Sequence, residues 1–219
     1  MSRKSASPTK KGSYLAEPSS GEGSGILVLH AWWGLTDFVR TVCDRLADDG
    51  FVALAPDLYH GGRASTVEEA ERLVSALNES AARKDVLKAL DELRDLVGPG
   101  RPLDLIGFSL GAAYGLWLAC ERGPEFGGVF VYYGTGDGDF RNARAAVLGH
   151  FAERDPYESA SSVRAFEESL RAAGRKATIH VYPGTGHWFF EEDRPESYDA
   201  KAACQSWTRT RDFLRAHVR

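Results

Sequence analysis

The sequence predicts an α/β fold: a mainly parallel, twisted sheet with helices on both faces. Three observations lead there. Short continuous apolar runs, such as residues 26–29 and 51–55, and the run 103–106 broken only by Asp104, read as strands covered on both sides. Between them lie stretches with apolar residues at helical spacing, such as Phe38, Val42 and Leu46. Glycine and proline punctuate the junctions, at Gly50 and again at Gly98-Pro99-Gly100.

Taken in order, residues 1–11 are basic and poor in apolar side chains, and are expected to form a disordered tail before a single domain over 12–219. Tyr14-Leu15-Ala16 suits a short edge strand, and 19–25 a Gly/Ser turn. The strand at 26–30 runs into His30-Ala31-Trp32-Trp33-Gly34. Thr36 or Asp37 then caps a helix to about Asp49. The strand at 51–55 closes on Pro56-Asp57. Helices follow from Thr66 to about Leu77 and from about Ala81 to Val97. Further strands are expected at 103–106, 128–133, 146–150 and 178–182, with helices after Ser109, over about 161–173, and over about 197–217.

The bulk numbers exclude several classes. A chain of 219 residues builds one full core. Its net charge of -4 gives no reason to expect nucleic acid or an anionic membrane as partner. No apolar run approaches a membrane span. The three cysteines, Cys43, Cys120 and Cys204, form no metal-spaced pair, so no metal is expected, and they read as reduced thiols, which suggests a cytoplasmic protein. A monomer or small homo-oligomer is expected.

The chemistry centres on Gly107-Phe108-Ser109-Leu110-Gly111, set between a strand and a helix. A serine pushed out on a sharp turn needs glycine neighbours, or strand and helix would collide. In a parallel sheet ligands sit at the carboxyl ends of the strands, so the residues that follow each strand are the ones to search. A serine hydroxyl needs a base, and the base needs an orienting acceptor. His187, after the last strand, suits the base. Asp155, after the strand before it, suits the acid, with Glu153, Asp137 and Asp139 close enough in sequence to compete. His30 is either a second base or a buried structural side chain, and Asp57 either a turn residue or a substrate contact.

An oxyanion needs fixed donors. The backbone N–H of Leu110, at a helix start, is one candidate, and that of Trp32 the other. Trp33, Tyr59 and Trp188, also near strand ends, are candidate substrate contacts in an aromatic mouth. Only residues 134–145 separate two successive strands, too few for a helical lid domain, so a small open pocket is expected.

The chain resembles the dienelactone hydrolases. The matching stretches are His30-Ala31-Trp32-Trp33-Gly34-Leu35, Ala55-Pro56-Asp57-Leu58-Tyr59, Gly107-Phe108-Ser109-Leu110-Gly111-Ala112, Glu153-Arg154-Asp155-Pro156-Tyr157, and the run from Tyr182 to Phe190 through His187. The resemblance implies an α/β-hydrolase fold without a lid and cofactor-free hydrolysis of small esters or lactones. It carries the nucleophile onto Ser109, the acid onto Asp155 and the base onto His187. Two departures stand out. The best-known members use cysteine where this chain has Ser109, and carry a glutamate where it has Ala31. The changes agree physically, because a serine served by histidine needs no carboxylate to activate a thiol. Such members hold a substrate carboxylate with an arginine, and Arg63 and Arg72 both lie in that region. A non-catalytic binder of small molecules, or an acyltransferase, would share the same scaffold.

Overall fold

The computed structural model describes residues 12–101 and 103–217, so the tail expected at 1–11 lies outside the described residues. Strands and helices alternate, and successive strands pair mostly in parallel, as the sequence predicts. The chain divides into two units, residues 1–103 and 104–219. Among the described residues no helix is long and apolar enough to cross a membrane.

The first unit carries β1 (Tyr14–Ala16), β2 (Gly25–Leu29), α1 (Asp37–Asp48), β3 (Val52–Ala55), α2 (Val67–Ala76) and α3 (Glu79–Val97). Its strand order is β1-β3-β2. β1 runs antiparallel to β3, whereas β2 and β3 are parallel. Every residue of β2 and β3 is buried, which explains their unbroken apolar runs. Thr36 occupies the N-cap of α1. Thr66 and Glu69 close a reciprocal capping box at the start of α2. The next helix begins at Glu79, earlier than expected, because Asn78 Oδ1 accepts the Ala81 N–H at 3.0 Å and caps it.

The second unit carries β4 (Leu103–Phe108), α4 (Leu110–Glu121), β5 (Phe126–Tyr132), β6 (Ala146–Arg154), α5 (Ala160–Ala172), β7 (Ala177–Gly186) and α6 (Ala200–His217). Its strand order is β4-β5-β6-β7. No helix or strand is assigned between β5 and β6. The largest departure from the sequence reading is at β6 and β7. Both run several residues further than their apolar cores, and Pro183-Gly184-Thr185-Gly186, expected as loop, belongs to β7. A register shift absorbs the proline. Ala152 pairs with Tyr182 and Arg154 with Gly186, so two steps along β6 match four along β7.

A buried hydrogen-bond chain ties β5, β6, β7 and α6 together. Arg209 donates to Tyr182 Oη at 2.9 Å, which leaves the Tyr182 hydroxyl to donate to His150 Nδ1 at 2.8 Å. His150 Nε2–H then donates to Thr210 Oγ1 at 3.0 Å, and Thr210 Oγ1 lies 2.8 Å from Tyr132 Oη. Burial, with His180 and Arg209 nearby, holds His150 well below the usual histidine range and so neutral, as this chain of donors requires.

Two predictions follow from this packing. A Cβ on Gly107 would lie 2.5 Å from the Gly111 carbonyl oxygen and 2.6 Å from Ala112 Cα, all backbone. Gly107→Ala is therefore expected to lower stability by about 1–3 kcal/mol, read by urea denaturation. Asp104 on β4 is buried, and desolvation, offset in part by the Gly128 N–H, raises its carboxyl to about 7. The folded chain thus holds this proton more tightly than the unfolded chain does. Stability from this group is full below the ordinary carboxyl range and is lost as pH rises through about 7. Asp104→Asn is expected to flatten the fall of the melting temperature across that window; an unchanged slope would show that the group does not titrate there.

Candidate active site

The site begins with the turn from β4 to α4. Ser109 lies between them at φ 48° and ψ -113°, a left-handed conformation that L-residues rarely adopt. Its N–H donates to the Tyr132 carbonyl at 2.9 Å, and its own carbonyl accepts from the Ala112 N–H at 2.8 Å. The turn is thus fixed to β5 on one side and to the first turn of α4 on the other. Gly134 permits the approach from β5: a Cβ there would lie 2.6 Å from the Ser109 carbonyl oxygen. Helix α4 is mostly buried, so its position is set by packing rather than by an amphipathic stripe. Leu110 is its first residue, where a backbone N–H has no intrahelical acceptor and the helix dipole is positive.

Asp155 and His187 come from the ends of paired strands. Arg154 is opposite Gly186 in the register, so the next residue along each strand is the acid and the imidazole. His187 Nδ1 lies 2.7 Å and 2.9 Å from the two Asp155 carboxylate oxygens. A carboxylate has only lone pairs to offer, so Nδ1 carries the hydrogen and Nε2 the lone pair. Ser109 Oγ lies 2.9 Å from that Nε2 and can donate its hydrogen to it. The Asp155 and His187 side chains are almost wholly buried, at 1% and 3% exposed. Asp155 Oδ1 also accepts the Tyr157 and Glu158 N–H groups, both at 2.9 Å, which fixes the carboxylate plane.

The competing acids are occupied elsewhere. Glu153 accepts the Gly184 N–H at 2.8 Å, Asp139 pairs with Arg141 at 2.7 Å and 2.8 Å, and Asp137 is exposed. In the first unit, His30 is a structural side chain. Its Nδ1 lies 2.6 Å from the Ala31 carbonyl and its Nε2 accepts the Leu58 N–H at 3.1 Å, while burial lowers its pKa. Asp57 is a turn residue whose oxygens accept the Tyr59 and Gly61 N–H groups. Trp32 is half-buried and Trp33 buried, with ring centroids 5.4 Å apart in the turn after β2; Tyr59 is half-buried against His30.

Two tyrosines around the imidazole were not singled out by sequence reasoning. Tyr133 and Tyr157 each lie 4.9 Å from the His187 ring, as does Trp188. Tyr157 is 49% exposed and also packs on Trp188 at 5.3 Å, forming the solvent side of the cage. Its signal was its place two residues after Asp155, where its N–H fixes the acid. Beside the cage a cavity of about 380 Å³ is lined by residues including Arg154, Thr185, His187, Trp188 and Tyr198.

The dienelactone hydrolase family matches residues 12–218. A protein from Escherichia coli O157:H7 named "Putative carboxymethylenebutenolidase" is 30% identical, over 93% of this chain and 82% of its own. One of the same name from Aquifex aeolicus is 25% identical, over 94% and 93%. A solved structure described as a "Putative Dienelactone Hydrolase" from Klebsiella pneumoniae superposes with a TM-score of 0.78 at 25% identity, over 92% and 91% of the two chains. A dienelactone hydrolase-like promiscuous phosphotriesterase from metagenomic libraries shares the fold, with a TM-score of 0.82 at 21% identity over 94% and 92%. With nearly its whole length matched, the chain belongs to the dienelactone hydrolase family and has the α/β-hydrolase fold.

Proposed function

We propose that the protein is a serine hydrolase that cleaves small carboxylic esters or lactones through an acyl-enzyme on Ser109. One observation carries the reading: Ser109 Oγ lies 2.9 Å from the free nitrogen of an imidazole whose other nitrogen is held by a buried carboxylate. Membership of the family supports hydrolysis, and the relatives' name, carboxymethylenebutenolidase, supports a lactone or ester as the bond broken.

The steps follow from the geometry. Ser109 Oγ attacks the acyl carbon while His187 Nε2 takes its hydrogen. Asp155 stabilises the resulting imidazolium and keeps its tautomer. The oxyanion that develops accepts from the Leu110 N–H, and on the sequence pattern from the Trp32 N–H as well. When the intermediate collapses, His187 returns the proton to the leaving alkoxide. Water, deprotonated by His187, then attacks the acyl-enzyme, and the proton goes back to Ser109 Oγ. A lactone leaves both products in one molecule, and an ester gives two. Tyr157, exposed beside the imidazole and packed on the buried Trp188, is the aromatic surface a bound substrate would meet first. A cytoplasmic location fits the three cysteines, all of them free thiols.

The reading is tested by short p-nitrophenyl esters and a fluorophosphonate probe. The wild type is expected to turn over the esters and to be labelled on Ser109, and Ser109→Ala to lose both. Asp155→Asn is expected to keep the fold but to lose about 10²–10⁴-fold in kcat, because the imidazole would lose its tautomer. A wild type that binds ligands tightly yet is never labelled would instead identify a non-catalytic binding protein. Labelling with acyl transfer to an alcohol outpacing hydrolysis would identify an acyltransferase.

A further inference from the structure

One ring away from the imidazole, across Tyr133, lies a buried acid that the steps above do not use. Glu191 is 1% exposed, four residues past His187. Its Oε1 accepts a 2.8 Å hydrogen bond from the Tyr133 hydroxyl. Tyr133 is fully buried, and its ring is one wall of the His187 cage, 4.9 Å from the imidazole at an interplanar angle of 57°. The Tyr133 backbone is held as well. Its N–H donates to the His150 carbonyl at 2.7 Å, and its φ of 38° is left-handed. Phe189 packs edge-on against the same ring at 5.5 Å. Tyr157 is exposed and has room to yield; Tyr133 has none.

We propose that Tyr133 and Glu191 form a positioning pair for His187: the phenol ring holds the imidazole in line with Ser109, and the carboxyl group fixes that ring and places an acidic group one ring away from the imidazolium. The inference rests on the reading of His187 as general base. It explains a feature that packing alone does not. A buried carboxyl without a direct cation is costly, and an apolar side chain would fill the space without that cost. Once ionised, a carboxyl one ring away from a site where positive charge develops does electrostatic work in the transition state.

The charge state gives the pair a kinetic signature. Burial raises the Glu191 carboxyl to about 8, with the Asp193 charge adding to the rise and the Tyr133 hydroxyl and Arg194 opposing it. Tyr132, with its ring centroid 6.2 Å from that of Tyr133, and His187 are the other titratable groups that face the pair. Below about pH 8 the carboxyl is neutral and only steers the ring. Above it a negative charge appears one ring away from the imidazolium and favours it.

The test measures kcat and KM for a p-nitrophenyl ester from about pH 6 to 10 in the wild type, Glu191→Gln and Tyr133→Phe. In the wild type kcat is expected to rise about three- to tenfold through pH 8. Glu191→Gln is expected to lose that rise with KM within about twofold of wild type. Tyr133→Phe, which keeps the ring but frees it from the carboxyl, is expected to lose the rise too and to lower kcat about tenfold at neutral pH. A folded Glu191→Gln with the wild-type profile overturns the proposal, and so does a wild-type kcat that is flat through pH 8, which needs no variant to fold. A wild type that fluorophosphonate does not label overturns the hydrolase reading and this inference with it. Labelling at Ser109 together with an unchanged profile overturns the inference alone.

Discussion

The arrangement depends on the parallel pairing of β6 with β7 and on how far it runs. Each strand stops one residue short of a chemically active side chain, and their last paired residues are Arg154 and Gly186. The pairing therefore delivers Asp155 and His187 side by side without any loop having to find the geometry. The serine joins through two further backbone hydrogen bonds. Ser109 N–H reaches the Tyr132 carbonyl, and Tyr133 N–H reaches the His150 carbonyl. Backbone pairing thus runs from β4 to β7 beneath the three side chains. The chain from Arg209 to Tyr132 repeats that linkage in side chains and adds α6 to it. A site supported by strand ends rather than by free loops keeps its hydrogen-bond lengths under thermal motion, as the proposed attack on an acyl carbon would demand.

Much of this was legible in the sequence because the physics is local. The strand-turn-helix around Ser109 needs small residues at 107 and 111, and the chain shows them. Buried parallel strands need continuous apolar runs, and β2 and β3 have them, while β4 is apolar but for Asp104. The extension of β6 and β7 was hidden because Pro183, Gly184 and Gly186 signal a loop. A bulge cancels that signal, and a bulge depends on the partner strand. The choice of Asp155 over Glu153 was open in the sequence for the same reason. Both follow one strand, and only the Gly184 N–H takes Glu153 out of the competition. Tyr133 and Glu191 were out of reach altogether, since a contact across 58 positions leaves no local pattern.

The second unit also distributes its acids unevenly. Asp155 is buried with three hydrogen-bond donors: the His187 ring and two backbone N–H groups. Asp104 and Glu191 are buried with few donors, and both are pushed toward neutrality at ordinary pH. For those two the shift follows from burial with few donors where water is excluded. Sequence alone treats the three as the same kind of residue.

Four non-glycine residues in the described chain lie at left-handed φ, and three of them, Ser109, Tyr133 and Trp188, surround one imidazole. Each such conformation costs about 1–3 kcal/mol, so the scaffold holds these residues against their own preference. Evolution under a demand for durability alone would relax those positions first. A descendant of this chain that had lost its chemistry would be expected to carry glycine or asparagine there and to outlast its working ancestor on heating.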